Sequence, residues 1–311
     1  MIEKIYFMDN SKTRLDKWLS QRMPKLSRSQ IVKLIDAKQV IIDDQFYPQG
    51  KDVLAENSKI TVRYEHNSEN KVPQAQKIEL DIIFEDDDFI VINKPINLVV
   101  HPGAGNEQNT LVNGLLHYTK ELSTINSKER PGIVHRLDKD TSGLILICKH
   151  NTIHREMAQL FKTHQVKRIY HALVWGLPDT EKGKINAPID RHPTKRTMMS
   201  VEPQGKEALT FFQLLNKFTN TNNQPIASEL KIKLHTGRTH QIRVHLAHIN
   251  LPIIGDPLYH KGRDNLDIPA QALYSSELSF HHPINGVKMH FQVDAPDFYQ
   301  ELKERLDKHL V

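Results

Sequence analysis

Apolar residues recur along this chain with two different periods, and the places where the period changes divide it into elements. Leu15, Trp18, Leu19 and Met23 fall on one face of a helix. Ser27, with Gln30 three residues on, is a capping-box pattern that opens a second helix with the stripe Ile31, Leu34 and Ile35. Val40-Ile41-Ile42 predicts a strand, Asp43-Asp44 a turn and residues 59–63 another strand, so a small α/β unit is expected over residues 1–64. Residues 65–76 are polar, lack apolar periodicity and are expected to form a linker.

From residue 77 to residue 311 the pattern predicts one larger domain. Ile82-Ile83-Phe84 and Phe89-Ile90-Val91-Ile92 flank four consecutive acids, Glu85 to Asp88, and read as a hairpin with a solvated turn. Residues 110–118 predict a helix, and Leu144-Ile145-Leu146-Ile147-Cys148 a buried strand. Asn151 is placed to cap a helix with Ile153, Met157, Leu160 and Phe161 on one face. Residues 168–175 predict a strand, and two alternating stretches ending near Leu215 and Gly237 predict antiparallel neighbours. Thr239 is placed to cap a helix whose buried side is Ile242, Leu246 and Ile249, and an amphipathic helix over 299–310 closes the chain. The fold class is α+β: a mixed, mostly antiparallel sheet flanked by helices, behind a small N-terminal domain.

Composition narrows the class. Of 311 residues, 38% are hydrophobic, enough for a core, and no apolar run reaches the roughly 20 residues of a membrane span. Glu3 and Asp9 interrupt the first residues, so no signal peptide is expected, and a cytoplasmic protein is. One cysteine, Cys148, lies in an apolar run, which excludes an internal disulfide and the two-cysteine motif of zinc base deaminases. The net charge is +5, but residues 11–40 alone carry eight basic side chains against Asp16 and Asp36. Such a patch is either a solvated helix face or the footprint of a polyanion.

The densest chemistry lies in Pro131–Gly143, PGIVHRLDKDTSG, immediately before the buried strand. From the residues alone it is either a catalytic loop on a rigid scaffold or a tight, salt-bridged turn. The HRLDKDTSG motif resembles the active-site motif of the RluA-type RNA pseudouridine synthases. EDDDFIVINKP, RIYHALVW and HTGRTHQIRVHLAHI resemble further motifs of that family in the same order, and RLDKWLS…LSRSQIVKLI resembles the S4-type RNA-binding domain, with Asp43-Asp44 where that domain often has Asn-Gly. The resemblance covers nearly the whole chain.

It implies that Asp138 is the catalytic carboxylate, that Tyr170, otherwise a half-buried strand aromatic, belongs to the active site, and that Arg238 pairs with Asp138. Implied substrate contacts are His135, Arg136, His240 and Arg243 near the motifs, Arg14, Lys17 and Arg28 on the N-terminal unit, and Arg191, His192, Lys195 and Arg196 in a basic loop over 191–201. That loop resembles the same segment of the large-subunit rRNA enzymes of the family, so the implied partner is large-subunit (23S) ribosomal RNA within a pre-ribosomal particle, with no DNA or membrane partner, no cofactor or metal, and a monomeric enzyme. Two other classes compete. A metal-dependent RNA hydrolase would use His135 and Asp138, whose His-x-x-Asp spacing is a weak signal. A non-catalytic S4-type RNA-binding assembly protein would retain the motifs without chemistry.

Overall fold

The computed structural model describes every residue except 1, 10, 11, 25, 27, 65–72, 104, 126–129, 196, 261, 263–265 and 309–311. Ser27, expected to open the second helix, and most of the expected linker lie outside the described residues. The chain divides into two compact units, Met1–Lys71 and Val72–Val311.

The first unit runs β1 (Ile2–Phe7), α1 (Leu15–Arg22), α2 (Arg28–Asp36), β2 (Val40–Ile42) and β3 (Lys59–Tyr64). Its three strands form an antiparallel sheet in the order β1-β3-β2. Leu15, Trp18, Leu19 and Ile31 are fully buried with Ile60 and Val62, so the apolar helix faces close over one face of the sheet. Strand β1 pairs along its whole length with β3 but alternates weakly in sequence, which is why its pattern gives no strand signal.

The second unit contains β4 (Ile82–Glu85), β5 (Phe89–Lys94), α3 (Leu111–Tyr118), β6 (Ser142–Cys148), α4 (Asn151–Lys162), β7 (Lys167–Trp175), β8 (Lys182–Asn186), β9 (Ile189–Arg191), β10 (Met199–Val201), β11 (Leu209–Thr219), β12 (Pro225–Leu234), α5 (Gln241–His248), β13 (Leu273–His281), β14 (Lys288–Gln292) and α6 (Asp297–Asp307). Nine strands make one sheet ordered β4-β5-β6-β13-β7-β12-β11-β8, with β14 on β13. Every pair is antiparallel except β6 with β13. Gln74 and Gln76, inside the expected linker, are tied to this unit: the Gln74 carbonyl accepts from Asn113, and the Gln76 N–H donates to the Asn113 carbonyl.

Period-2 geometry explains the uninterrupted apolar runs. Ile90, Ile92, Ile145 and Ile147 pack with Leu111 and Leu115 of α3 on one face, while Phe89, Val91, Leu144, Leu146 and Cys148 pack with Ile153 and Met157 of α4 on the other. Both faces are covered, so both parities are apolar. Two helix starts differ from expectation. His150, not Asn151, caps α4, its Nδ1 accepting from the Ile153 N–H at 3.4 Å, and His240, not Thr239, precedes α5.

Helix α6 buries Tyr299, Leu302 and Leu306 and is pinned by Glu229 of β12. This nearly inaccessible carboxylate receives Lys303 at 2.7 Å and the Tyr299 hydroxyl at 3.3 Å, and also Asn216 and His171. Burial would raise its pKa, but the hydrogen bonds from His171, Lys303 and Asn216 outweigh it and hold it at about 2. The folded pKa lies below the unfolded one, so the stabilisation is present above pH ~4.5 and is lost as pH falls towards 2. Glu229→Gln is therefore expected to cost on the order of 3 kcal/mol at neutral pH, with the gap to wild type narrowing below pH ~4. Urea denaturation at stepped pH checks this, and a gap independent of pH would contradict it.

Among the described residues no helix is long and apolar enough to cross a membrane.

Candidate active site

Three segments converge on one cleft. The first is the loop before β6. Gly143 has φ +100°, and a Cβ there would lie 2.2 Å from the Ser275 carbonyl oxygen, so only glycine allows this approach. Ser275 pairs with Gly143 on one side and with Tyr170 on the other. The tight contact thus places the loop carrying Asp138 beside the strand carrying Tyr170. From the sheet side, the fully buried Lys94 donates to the carbonyls of Pro95, Leu98 and Lys139 at 2.7, 2.9 and 3.0 Å, tying the Lys-Pro turn to the residue after Asp138. Desolvation pushes the Lys94 amine down to about 7.

The third segment is the bend before α5. His240 takes the left-handed conformation at φ 54°, and the helix begins immediately after it. His240 and Arg243 are three residues apart at the helix start and face the same way. Arg243 Nη1 donates to Asp138 Oδ2 at 3.0 Å. Its Nε and Nη2 donate to the fully buried Asp256 at 2.7 and 2.9 Å. Asp256 is fixed in turn by the N–H groups of Leu258 and Tyr259. Burial would lower the Arg243 pKa, but the two carboxylates outweigh it and raise it. One guanidinium serves two carboxylates, so the trio keeps a formal negative charge on the side that faces the cleft.

This corrects the expected pairing. Arg238 does not pair with Asp138. It is exposed and gives its Nε to the Glu207 carbonyl at 2.9 Å, while its backbone N–H donates to Gln241 Oε1. The reason lies in Asp256: a bidentate clamp through Nε and Nη2 of Arg243 leaves Nη1 directed at Asp138, and the helix start turns Arg238 outwards.

His240 Nε2 lies 4.0 Å from Asp138 Oδ2, and its Nδ1 is 2.9 Å from the Tyr259 hydroxyl. That hydroxyl accepts from the Met199 N–H at 2.8 Å and keeps its own proton to donate to Nδ1, an arrangement that would put the ring proton on Nε2, facing Asp138. Burial keeps His240 below its ordinary value. Tyr170 is 4% exposed, and burial raises its phenol.

Asp138 and Tyr170 line a cleft of about 860 Å³ together with His135, Arg136, Arg168 and Arg238. Arg136 is exposed there. His135 differs from expectation: its ring stacks on Phe161 at 4.9 Å, and its Nε2 accepts from the Leu146 N–H at 2.9 Å. Burial lowers its pKa to about 3, so it is a neutral strut between loop and strand, with its Nε2 lone pair unavailable to a metal. The expected basic loop is the tip of the β9–β10 hairpin. Arg191 and Lys195 are exposed on it, while His192 Nδ1 accepts from the N–H groups of Thr194 and Lys195 and folds the tip. Arg196 lies outside the described residues. In the N-terminal unit Lys17 is exposed, but Arg14 and Arg28 both hold buried Asp16, at 3.0 and 2.8 Å, with about half of each side chain open to solvent. Burial would raise the Asp16 carboxyl, and the hydrogen bonds from Arg28 and Arg14 pull it below its ordinary value.

The sequence model described as RNA pseudouridylate synthase matches residues 88–248, which include Asp138, Tyr170 and Arg243. An uncharacterized RNA pseudouridine synthase of Aquifex aeolicus (strain VF5) is 37% identical over 97% of this chain and 96% of its own length. The chain belongs to the RNA pseudouridylate synthase family. Two other relatives named ribosomal large subunit pseudouridine synthase D, from Salmonella typhimurium and Escherichia coli (strain K12), are each 38% identical over 94% of this chain and 90% of theirs. The fold is also that of human RNA pseudouridylate synthase domain containing 1, with TM-score 0.57 and 24% identity over 71% of this chain and 86% of that one.

As an RNA pseudouridine synthase the chain needs more than its motif residues to hold the Asp138 site. Asp256 and Tyr259 lie beyond the matched residues 88–248 and were not singled out by sequence reasoning. Their signal was present as Gly255-Asp256-Pro257, a turn with a carboxylate, but a single acid in a turn is ordinarily solvated, and only its complete burial marks it.

Proposed function

We propose that this chain isomerises specific uridines of large-subunit ribosomal RNA in the cytoplasm, acting as a monomer with Asp138 as the catalytic carboxylate. The observation that carries the reading is Asp138 itself: a carboxylate ion-paired to a buried arginine, facing the same cleft as Tyr170. The relatives named for the ribosomal large subunit support the choice of RNA.

The reaction breaks the C1′–N1 bond of uridine and joins C1′ to C5, with the C5 proton lost and N1 protonated. It adds and removes no group. The target base must leave its stack, at a cost of a few kcal/mol. Tyr170 offers a ring face that returns about 1–3 kcal/mol of stacking. Asp138 acts on the detached sugar or base, held by Arg243. His240 turns its Nε2 to the same side and can hold or pass a proton there. Arg136 and Arg238, exposed at the cleft, contact the strand on either side of the uridine.

The N-terminal unit is proposed to be an S4-type RNA-binding domain, joined through a linker to the catalytic domain, and Lys17 with the open halves of Arg14 and Arg28 its phosphate contacts. Arg191 and Lys195 of the hairpin tip extend the footprint, and Arg196, next in sequence, is proposed as a further contact. Pseudouridine mapping of ribosomal RNA from cells with and without the gene tests the proposal. Loss of discrete large-subunit pseudouridines, restored by the wild-type chain but not by Asp138→Asn, is expected. An unchanged large-subunit map would overturn the substrate assignment.

A further inference from the structure

Arg168 is a buried cation without a counter-ion among the described residues. It is 8% exposed, and among the described residues no carboxylate lies within ion-pair distance of it. The two carboxylates that line its cleft are engaged or turned away: Asp138 faces Arg243, and Glu207 is exposed. Its Nε is buried with no hydrogen-bond partner, and Nη2 reaches only the Thr236 carbonyl, at 3.4 Å. The guanidinium rests over the Phe161 ring at 5.3 Å. Gly237 closes on it so tightly that a Cβ there would lie 2.8 Å from Nη1. Desolvation lowers its pKa, as an unpaired buried cation requires.

A fold does not gain by holding a charge this way. Breaking a buried ion pair is costly because of the charge left behind, and Arg168 is in that condition throughout the free protein. An anionic ligand relieves the cost. Arg168 and Tyr170 lie two apart on β7, so their side chains leave the same face about 7 Å apart. A phosphodiester next to a nucleotide whose base meets Tyr170 would fall in the reach of Arg168, and a guanidinium fork matches its oxygens.

We propose that Arg168 is a phosphodiester receptor that clamps the RNA backbone beside the flipped uridine. The inference rests on the reading of the Asp138–Tyr170 cleft as the uridine site. It differs from the rim cations in kind. Arg136 and Arg238 are exposed and serve general attraction, whereas Arg168 is held in one place and selects one phosphate.

The test uses the full chain and an RNA hairpin containing a uridine that the rRNA map assigns to it. Affinity is measured at several salt concentrations for wild type, Arg168→Met and Arg168→Lys. It is measured again on hairpins in which single phosphates around the uridine are replaced by neutral methylphosphonates. Arg168→Met is expected to flatten the log–log salt slope by about 0.7–0.9, the loss of one phosphate contact. Arg168→Lys is expected to restore the slope. At one methylphosphonate position wild type should fall to the affinity of Arg168→Met, and that variant should lose nothing further. The melting temperature of free Arg168→Met should equal or exceed that of wild type. A wild-type salt slope in Arg168→Met, or methylphosphonate losses that are the same in both proteins at every position, would overturn the proposal. So would a lowered melting temperature with an unchanged slope, which marks a structural arginine. Asp138→Asn on the same hairpin separates the two readings. If it still isomerises the uridine, the cleft assignment fails. If it is inactive while Arg168→Met keeps the wild-type slope, only the phosphate receptor fails.

Discussion

Asp138→Asn is expected to leave a folded protein that binds RNA and forms no measurable pseudouridine. The substitution keeps the size of the side chain and removes its charge. Arg243 stays clamped by Asp256 through two hydrogen bonds, so the bend before α5 does not lose its anchor. Stability should change by no more than about 1 kcal/mol, the worth of one hydrogen bond. Turnover should fall by more than about ten-thousandfold, beyond what a single positioned acid–base group supplies, because among the described residues the other carboxylate lining the cleft, Glu207, is exposed and cannot take its place. Asp140→Asn is the internal comparison. Asp140 lies in the same loop and, like Asp138, acts electrostatically on Lys94, but the Arg243 guanidinium gives its hydrogen bond to Asp138. That variant should retain measurable turnover. Single-turnover isomerisation and urea denaturation on both proteins decide the matter: equal residual activity with equal loss of stability would make the loop a structural turn.

Arg243→Leu is expected to be the most damaging substitution in the site, and Arg238→Leu a mild one. Removing the Arg243 guanidinium leaves Asp256, with no solvent exposure, and Asp138 without their shared cation. Stranding a buried charge costs about 3–5 kcal/mol, a large part of the stability of an ordinary domain. Turnover should vanish, because Asp138 loses the group that positions it. Arg238 is exposed and loses one hydrogen bond to a backbone carbonyl, worth about 1 kcal/mol or less, so its variant should keep the fold and a fraction of the activity. Denaturation midpoints and turnover of the two variants, measured side by side, test the pairing. Equal stability in the two would refute it.

Much of this site is legible in the amino-acid sequence. The stretch before β6 packs ionisable groups against an unbroken apolar run that reads as a buried strand, and the structure covers it on both faces. The helix after Thr239 is announced by its apolar spacing, and His240 and Arg243 share its first turn by arithmetic alone. Sequence could not say which of Arg238 and Arg243 meets Asp138. Both lie within one turn of the bend, both are basic, and the choice is made by Asp256, a residue 118 positions beyond Asp138 in the chain. His135 shows the same limit: histidine beside a catalytic motif invites a functional role, whereas the ring is committed to a backbone N–H of the next strand.

The sequence by itself determined most of the elements, their order and the chemistry available at Asp138 and Tyr170, because period, turn residues and residue type are local properties. Tertiary structure alone decided the partners. The parallel pairing of β6 with β13, made possible by Gly143 against Ser275, sets Asp138 beside Tyr170. The burial of Asp256 selects Arg243, and the lack of a carboxylate within ion-pair distance of Arg168 among the described residues leaves that cation open to a ligand. Burial and charge compensation depend on residues far apart in sequence, and a local pattern carries no information about which distant acid arrives beside which base.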